Sequence, residues 1–487
     1  MFLQNNRRMN REAANEASRG ASLSFLEEIY QQGGQAYEVG GTVRDGLLGL
    51  AHKDLDLVVT RIPLPRLKEI LAKHGGVHEV GKSFGVLKFR PRGEAKDLDI
   101  ALPRTEKSVG SGHRDFEVNF DPNIPIELDL QRRDFTLNAM ARDMKSGRLI
   151  DPFGGERDLR DKVLKQVFSE TFKEDPLRLL RAVQFTARFN LNVEPETWQG
   201  IRRHAALIET VSPERIIEEI GKLFRAEIPS IGFYLMKETG LLQHVFPELQ
   251  KTIGVEQPAK RSGDVFDHTM KVLDASRNCS DLDQPGDLEI MFASLFHDIG
   301  KPYTIGYNEK NKRITFYGHQ IVSTKLARKW MKRYHASMLG IDNEKVLTLV
   351  HNHMFETKSF FTEKAIRRFI AKIGKDLIFK LIDLRVADKK GGAFPNKLHG
   401  ILHLKKKIQE EIEKKPPFGP KDLAIDGFIL MEMGYSEGPM LGTILKNLVE
   451  LVLDDPTLNT RESLVEFTLK NYPQSGVAER HESRNEN

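Results

Sequence analysis

The sequence predicts an α+β protein, with a small α/β head followed by a long, mostly α-helical body. Two observations carry this. Between Ser22 and Asp158, short runs rich in β-branched and apolar residues (AYEV, DLDLVV, GVLKF, DLDIAL) alternate with helical patterns. From about Lys162 onward the strand signals fade and helical periodicity with polar joints takes over. The chain has 487 residues, too many for one compact core, and 39% of them are hydrophobic, enough for several cores.

Composition narrows the class before any motif is read. No stretch approaches the ~18 consecutive apolar residues of a membrane span, so no membrane role is expected. The N-terminal MFLQNNRRMNREAANEASRG is basic and polar without an apolar core, which is not a secretory pattern. Cys279 is the only cysteine. That excludes internal disulfides and cysteine-based zinc sites, and it fits a reducing cytoplasm. A net charge of +5 permits a polyanionic partner without demanding one. Residues 1–20 and 476–487 read as mobile tails. The Pro/Lys-rich KKPPFGPKD (414–422) separates a last helical segment.

In the head, YEVGGTVRDGLLGLAHKDLDLVV places a strand, a Gly-Gly turn, a helix start and a second strand in order. Gly40 and Gly41 allow close backbone approach to a ligand, and the helix N-terminus behind them presents N–H groups to an anion. Arg44 adds charge-assisted bonds to phosphate. A plain turn explains most Gly-Gly pairs, so the weight falls on Asp54 and Asp56. Two residues apart on a strand, they share one face while Leu55 and Leu57 share the other. Paired carboxylates suit Mg²⁺, which takes oxygen ligands and bridges to substrate phosphates. Asp99 in DLDIAL is the expected third acidic residue, with Asp97 as the fallback.

GGTVRDGLLGLAHKDLDLVV resembles the first signature of class II tRNA nucleotidyltransferases and the related bacterial poly(A) polymerases. RRDFTLNAMA (132–141), DPFGGERDL (151–159) and EDPLRLLRAVQFTARF (174–189) match further signatures in the same order. The resemblance runs from about residue 22 to about 475 and implies a polymerase-β-like head. On it, Arg132, Arg133, Asp134 and Asn138 correspond to elements that contact sugar and triphosphate; Asp134 reads alternatively as the cap of a helix beginning near Phe135. Arg181 and Arg188 are either triphosphate contacts or packed cations. The interval from Asp99 to Arg132, with RTEKSVGSGHRDF, has the length of the family's mobile loop. VSPERIIEEIGKLF (211–224) resembles a neck helix.

EDPLRLLRAVQFTARF reads as one helix with Glu174 and Asp175 in its first turn, Pro176 tolerated early, and Leu179, Ala182, Phe185 and Phe189 as its apolar stripe. Asp175 and Arg178, three apart, are either an ordinary intrahelical ion pair or, as the resemblance implies, a protein template for the incoming base. Cytosine and adenine carry an amino group where uracil and guanine carry a carbonyl. A carboxylate acceptor therefore admits the first pair and rejects the second.

Farther on, GDVFDHTMKVLD, ASLFHDIGKP, YGHQIVS, LVHNHM and RVADKKG supply imidazoles and carboxylates. LFHDIGKP resembles the core of HD-superfamily phosphohydrolases. The resemblance implies that His268, His297, Asp298 and Asp388 hold one ion, with His319 and His353 extending the site to two; His351 fits the pattern less well. Mixed nitrogen and oxygen donors favour Mn, Fe, Ni or Co over Ca, and such an ion activates water against a phosphate ester. The alternative is a degenerate domain kept as an RNA scaffold. DLAIDGFILMEMGYSEGPMLGTILKNLVELVL (422–453) resembles the family's tRNA-contacting end, with Gly434, Gly438 and Pro439 in a turn between two helices.

The expected organisation is a nucleotidyltransferase head (21–160), a helical neck and body (161–262), an HD domain (263–400) and a tRNA-contacting segment (401–475). The expected activity is template-independent addition of C, C and A to the 3′ end of tRNA from CTP and ATP. Phosphatase or 2′,3′-cyclic phosphodiesterase activity is expected from the HD domain. A poly(A) polymerase, an A-only-adding enzyme, and an HD phosphohydrolase with a non-catalytic RNA-binding head are the alternatives.

Overall fold

The computed structural model describes residues 23–50, 55–79, 85–108, 116–257, 263–277, 286–310, 312–356, 362–393, 395–414 and 416–473. Asp54, Cys279, the tails expected at 1–20 and 476–487, and residues 109–115 of the expected mobile loop lie outside them. The chain forms two units, dividing between Pro247 and Glu248. No helix among the described residues is long and apolar enough to cross a membrane.

The first unit opens on a seven-stranded mixed sheet in the order β3-β4-β5-β2-β1-β8-β9. Its strands are β1 (Gln35–Val39), β2 (Asp56–Thr60), β3 (Gly75–Glu79), β4 (Val86–Pro91), β5 (Leu98–Ala101), β8 (Ala141–Asp143) and β9 (Leu149–Ile150). A separate antiparallel pair, β6 (Arg104–Ser108) and β7 (Phe116–Phe120), flanks the expected loop. Alternation along the strands builds two cores. Leu57, Val59 and Ile100 join Phe25, Ile29 and Phe89 on one face. Val39 and Val58 join Leu130 and Ala139 on the other. Asp56 has the parity of Val58 and so belongs to this second face.

Within this sheet β2 and β5 are the one parallel pair, joined through the helix Leu64–His74 and the β3–β4 hairpin that separate them in sequence. A group of packed helices follows the sheet in sequence. The helix Arg178–Phe189 packs against Pro213–Leu223, the stretch expected as a neck, and against Ser230–Thr239. Its stripe is buried at Leu179, Ala182 and Phe185, and Asn190 ends it in the left-handed conformation.

One expectation is corrected here. Residues 174–189 are not a single helix: Thr171–Glu174 forms a short turn of its own, Asp175 is extended, and the long helix starts at Arg178. The cause is Pro176, whose ring disfavours the helical conformation in the residue before it.

The second unit is helical. Val265–Ser276, Leu288–Phe296, His319–Arg333, Asn343–Asn352 and Lys375–Gly391 pack together. Several of these helices begin on carboxylates that accept backbone N–H bonds, at Asp264, Asp287 and Asp342. Gly427–Glu432 and Pro439–Asp454 flank the expected turn, in which Gly434 and Gly438 both have positive φ. They share a core of Leu430, Ile444, Leu448 and Leu464.

The terminal helices are tied to the rest of this unit by Arg367. Its Nη1 lies 2.8 Å from Glu411 Oε1, and its Nε and Nη2 donate to the carbonyls of Leu453 and Asp454. Both charged side chains are under a tenth exposed. Removing one partner of a buried pair leaves the other charge uncompensated. Arg367→Ala is therefore expected to destabilise the second unit by about 3–5 kcal/mol in urea unfolding. Neighbouring Arg368, half-exposed against Asp454 and Glu450, is expected to cost less than about 1 kcal/mol when replaced by alanine.

Candidate active sites

The parallel register of β2 and β5 sets Asp56 directly beside Asp99. Their side chains therefore leave the sheet on one face, although 43 residues separate them in sequence. Asp99 also meets Lys88 of β4 at 3.0 Å, a pair nearly half-exposed on both sides. Asp97 lies just before β5 and pairs instead with Arg90 at 2.7 Å.

Next to this pair, β1 runs into the Gly-Gly turn. Gly40 has φ 71°, and a Cβ there would fall 2.6 Å from Arg133 Nη1, so the turn needs both the conformational freedom and the space of glycine. The helix Gly41–Leu47 follows, with Arg44 buried in it. Arg44 donates to Asn138 Oδ1 at 2.6 Å and to Asp45 at 2.8 Å, and its guanidinium lies 4.7 Å from the Phe189 ring centre and 5.2 Å from that of Phe185.

A chain of buried ion pairs holds the remaining expected residues. Asp129, fully buried, accepts from Arg132 at 3.0 Å, Arg133 at 3.2 Å and the Arg104 backbone N–H. Asp134 does not cap a helix. Its Oδ1 accepts from Asn138 Nδ2 and the Phe135 N–H, and its Oδ2 from Arg181 Nε at 2.7 Å. Burial pushes the Asp134 carboxyl up, but Arg181, Asn138 and Arg178 outweigh it and hold it below the usual carboxylate range. Arg188 is lowered as well, by burial and by the charge of Arg44. Arg44, Arg181 and Arg188 thus form a cationic wall around the rings of Phe185 and Phe189.

Asp175 and Arg178 do not pair with each other through their side chains. Asp175 Oδ2 meets Arg215 at 2.8 Å. Arg178 donates to Thr171 Oγ1 at 2.8 Å and to the Arg132 carbonyl at 2.7 Å. Sequence reasoning missed Asp129, Thr171 and Arg215. Asp129 had a readable signal, since it stands three and four residues before Arg132 and Arg133, which follow the end of its helix Ile126–Gln131; the other two are contacts without one.

The second unit gathers His268, His297, Asp298, His319, His353 and Asp388. His297 and His353 follow directly on the helices Leu288–Phe296 and Asn343–Asn352, and His319 begins the next helix. Gly300 lets the turn after Asp298 lie against that helix start, where a Cβ would come within 2.3 Å of the His319 carbonyl. His351 is exposed and lies apart.

All four imidazoles are oriented alike. Nδ1 of His297, His319 and His353 lies 2.7 Å from the carbonyls of Ser294, Phe316 and Val350, and Nδ1 of His268 lies 3.2 Å from that of Gly391. A carbonyl can only accept, so each Nδ1 carries the proton and each Nε2 keeps its lone pair. The Nε2 atoms converge on Asp298. Its Oδ2 is 3.1 Å from His297 and 3.6 Å from His268; its Oδ1 is 3.3 Å from His319 and 3.9 Å from His353. Asp388 Oδ1 is 3.2 Å from His268.

Two groups here have the donor atoms to hold a metal ion: His268, His297 and Asp298 form one, and Asp298, His319 and His353 the other. Burial pushes His353 down to about 3, so it is neutral and able to ligate. Burial pushes Asp298 up, but His297 and Lys301 more than reverse this and hold it well below the carboxylate range. Lys301 touches Asp298 at 2.6 Å, and Arg385 touches Asp388 at 2.6 Å; neither had been singled out from sequence.

Comparison with known proteins matches residues 36–165 to the poly A polymerase head domain, 190–253 to the probable RNA and SrmB-binding site of polymerase A, and 265–390 to the HD domain. The multifunctional CCA protein of Actinobacillus pleuropneumoniae serotype 5b is 35% identical over 346 residues, a match covering 69% of this chain and 80% of that protein. The chain belongs to the multifunctional CCA protein family. The Xylella fastidiosa (strain M23) member is 39% identical over 277 residues, and there the match spans 55% of this chain and 63% of the relative.

The family fold extends to solved structures. The Bacillus stearothermophilus CCA-adding enzyme in complex with CTP has a TM-score of 0.61 at 23% identity, covering 92% of this chain and 97% of that one. The Thermotoga maritima CCA-adding enzyme complexed with tRNA has a TM-score of 0.56 at 21% identity, covering 92% and 93%. This agrees with an α+β architecture of nucleotidyltransferase head and helical body with an HD domain.

The Asp134–Arg181 pair carries a pH-dependent prediction. Because the folded carboxyl is depressed, its stabilisation is present above the unfolded value of about 3.9 and is lost as pH falls through the lower folded value. Asp134→Asn is expected to cost about 3 kcal/mol at pH 7. Urea melts of variant and parent should converge as the pH drops through the carboxylate range.

Proposed function

We propose that this chain is a template-independent nucleotidyltransferase that adds C, C and A to the 3′ end of tRNA from CTP and ATP, with a second, hydrolytic site in its HD domain. The observation that carries the first part is the placement of Asp56 beside Asp99, next to the Gly40–Gly41 turn and the arginines behind it. The working divisions are 21–160 for the head, 161–262 for the neck and body, 263–400 for the HD domain and 401–475 for a tRNA-contacting end. The reaction belongs in the cytoplasm.

In this reading the tRNA 3′-hydroxyl attacks the α-phosphorus of the incoming nucleotide, and pyrophosphate leaves. Asp54 and Asp56 hold Mg²⁺, which when bound lowers the cost of ionising the attacking hydroxyl and of charge on the leaving group. Asp99 orients the attacking oxygen. Gly40, Gly41 and Arg44 receive the triphosphate at the helix start, beside Arg132, Arg133 and Arg181. Asp134 and Asn138 act by fixing Arg181 and Arg44.

Asp175 and Arg178 read the base edge. A carboxylate has about four acceptor positions, so Asp175 can receive an exocyclic amino group while Arg215 and the Leu177 N–H stay bonded. The bonds of Arg178 to Thr171 and Arg132 fix its guanidinium plane, which a template needs. Structured RNA is held mainly by shape and backbone.

In the HD domain, the four Nε2 atoms, Asp298 and Asp388 hold Mn, Fe, Ni or Co. A cation so held would supply an activated water for attack on a phosphate ester, as phosphatase or 2′,3′-cyclic phosphodiesterase chemistry requires. Asp298 and Asp388 supply negative charge, and Lys301 and Arg385 orient them.

The decisive assay uses a tRNA transcript lacking CCA, with CTP, ATP or both, and products resolved by length. The expected outcome is two residues with CTP, three with both, and then arrest. Long adenylate tails would make it a poly(A) polymerase, and a single A on tRNA ending in CC an A-only enzyme. Asp56→Ala is expected to reduce incorporation at least about 100-fold while phosphate release from the HD domain persists. Loss of both activities would contradict two independent sites.

Calorimetric titration with Ni²⁺ or Mn²⁺ tests the second centre. Asp298→Ala should abolish binding, and His353→Ala should leave the ion held by His268 and His297. Affinity should fall as the pH drops, because the ligands bind a cation only when deprotonated.

A further inference from the structure

Imidazoles and carboxylates that hold a cation recognise a phosphate ester, but they do not tell one ester from another. Selection must come from groups outside them. The chain between Lys301 and His319, two residues of the second site, makes an excursion that supplies such groups. Strands Gly306–Asn308 and Arg313–Thr315 pair antiparallel, with Tyr307 opposite Ile314. The excursion is anchored where it returns: the Phe316 carbonyl fixes His319 Nδ1, and the Phe316 ring centre lies 5.3 Å from Lys301 Nζ, the cation on Asp298.

The surface of this segment is unusual for the molecule. The chain has nine tyrosines, and the three that are exposed all fall here: Tyr317 at 80%, Tyr307 at 57% and Tyr303 at 46%. The others are buried or half-buried. Exposed rings concentrated in the one segment that joins two residues of a site have a different meaning from singly scattered apolar residues. Around them Lys310, Lys312 and Arg313 are exposed, and Lys251 Nζ lies 5.1 Å from the Tyr303 ring centre. Aromatic faces interleaved with cations match the bases and phosphates of a single strand.

We propose that Tyr307 and Tyr317 form a stacking platform for the terminal bases of single-stranded RNA whose 3′ phosphate enters the second site, with Lys310, Lys312 and Arg313 following the backbone. This rests on the reading of that site as a phosphoesterase acting on RNA ends. The hairpin makes the site selective for a nucleotide-bearing ester. It takes no part in the bond-breaking step.

The test uses the full chain with Ni²⁺ and two short RNAs ending in a 2′,3′-cyclic phosphate, one with a terminal cytosine and one with an abasic terminal ribose. Stacking contributes about 1–3 kcal/mol per base, so Tyr307→Ala/Tyr317→Ala is expected to raise KM on the cytosine RNA by about 10-fold or more with kcat little changed. The abasic RNA should start with the higher KM and respond less. Tyr317→Phe should restore the parent KM, because the ring and not the hydroxyl stacks. Lys310→Glu/Lys312→Glu should flatten the dependence of KM on salt.

Equal KM in parent and double alanine variant, or an equal loss on both RNAs, overturns the platform while leaving the phosphoesterase standing. If the parent hydrolyses neither RNA, the phosphoesterase reading falls and the platform with it.

Discussion

A charge removed from water must be answered by an opposite charge or by hydrogen bonds, and both units are organised around carboxylates under that constraint. In the first unit Asp129 and Asp134 are buried, and each gathers arginines that would otherwise have many rotamers. Arg132, Arg133 and Arg181 are held by them, and Asn138 links Asp134 to Arg44. In the second unit Asp298 plays the corresponding part, touched by imidazoles on both oxygens and by Lys301. In both, a buried anion fixes the directions of its neighbours before any ligand arrives.

This arrangement fits the chemistry proposed for each unit. A nucleoside triphosphate brings several negative charges, and a wall of arginines with low conformational freedom binds it at a smaller entropic cost. A phosphate ester brings less charge, and there a cation on fixed nitrogen and oxygen donors is the more suitable partner. Arg188 illustrates the cost of the first design: burial and the charge of Arg44 both act against it, a strain that an incoming anion would relieve.

Much of this was legible in the sequence because it is carried by local patterns. The alternation of Leu57, Val58 and Val59 between two cores follows from strand geometry, and the pairing of a Gly-Gly turn with a following helix is local too. Every imidazole of the second site lies in a short recognisable string. What escaped was long-range or governed by a single steric rule. Pro176 broke the helix expected through Asp175, which sent Asp175 to Arg215 and Arg178 to Thr171. Asp99 was the expected third acid and Asp97 the fallback, and the parallel register of two strands far apart in sequence sets Asp99 beside Asp56.

The imidazole protons of the second site are held by main-chain carbonyls, three of them by the carbonyl three residues earlier in the chain. Arg44 and Arg181 of the first unit are held instead by the side chains of Asn138, Asp45 and Asp134. A carbonyl is present whatever residue occupies its position, so the orientation of those rings is buffered against substitution around them. The guanidinium wall has no such protection, since a change at Asp134 releases Arg181 directly and Arg44 through Asn138. Under mutational drift the two units should therefore age differently: the histidine centre through its ligands alone, the arginine wall through coupled, compensating pairs.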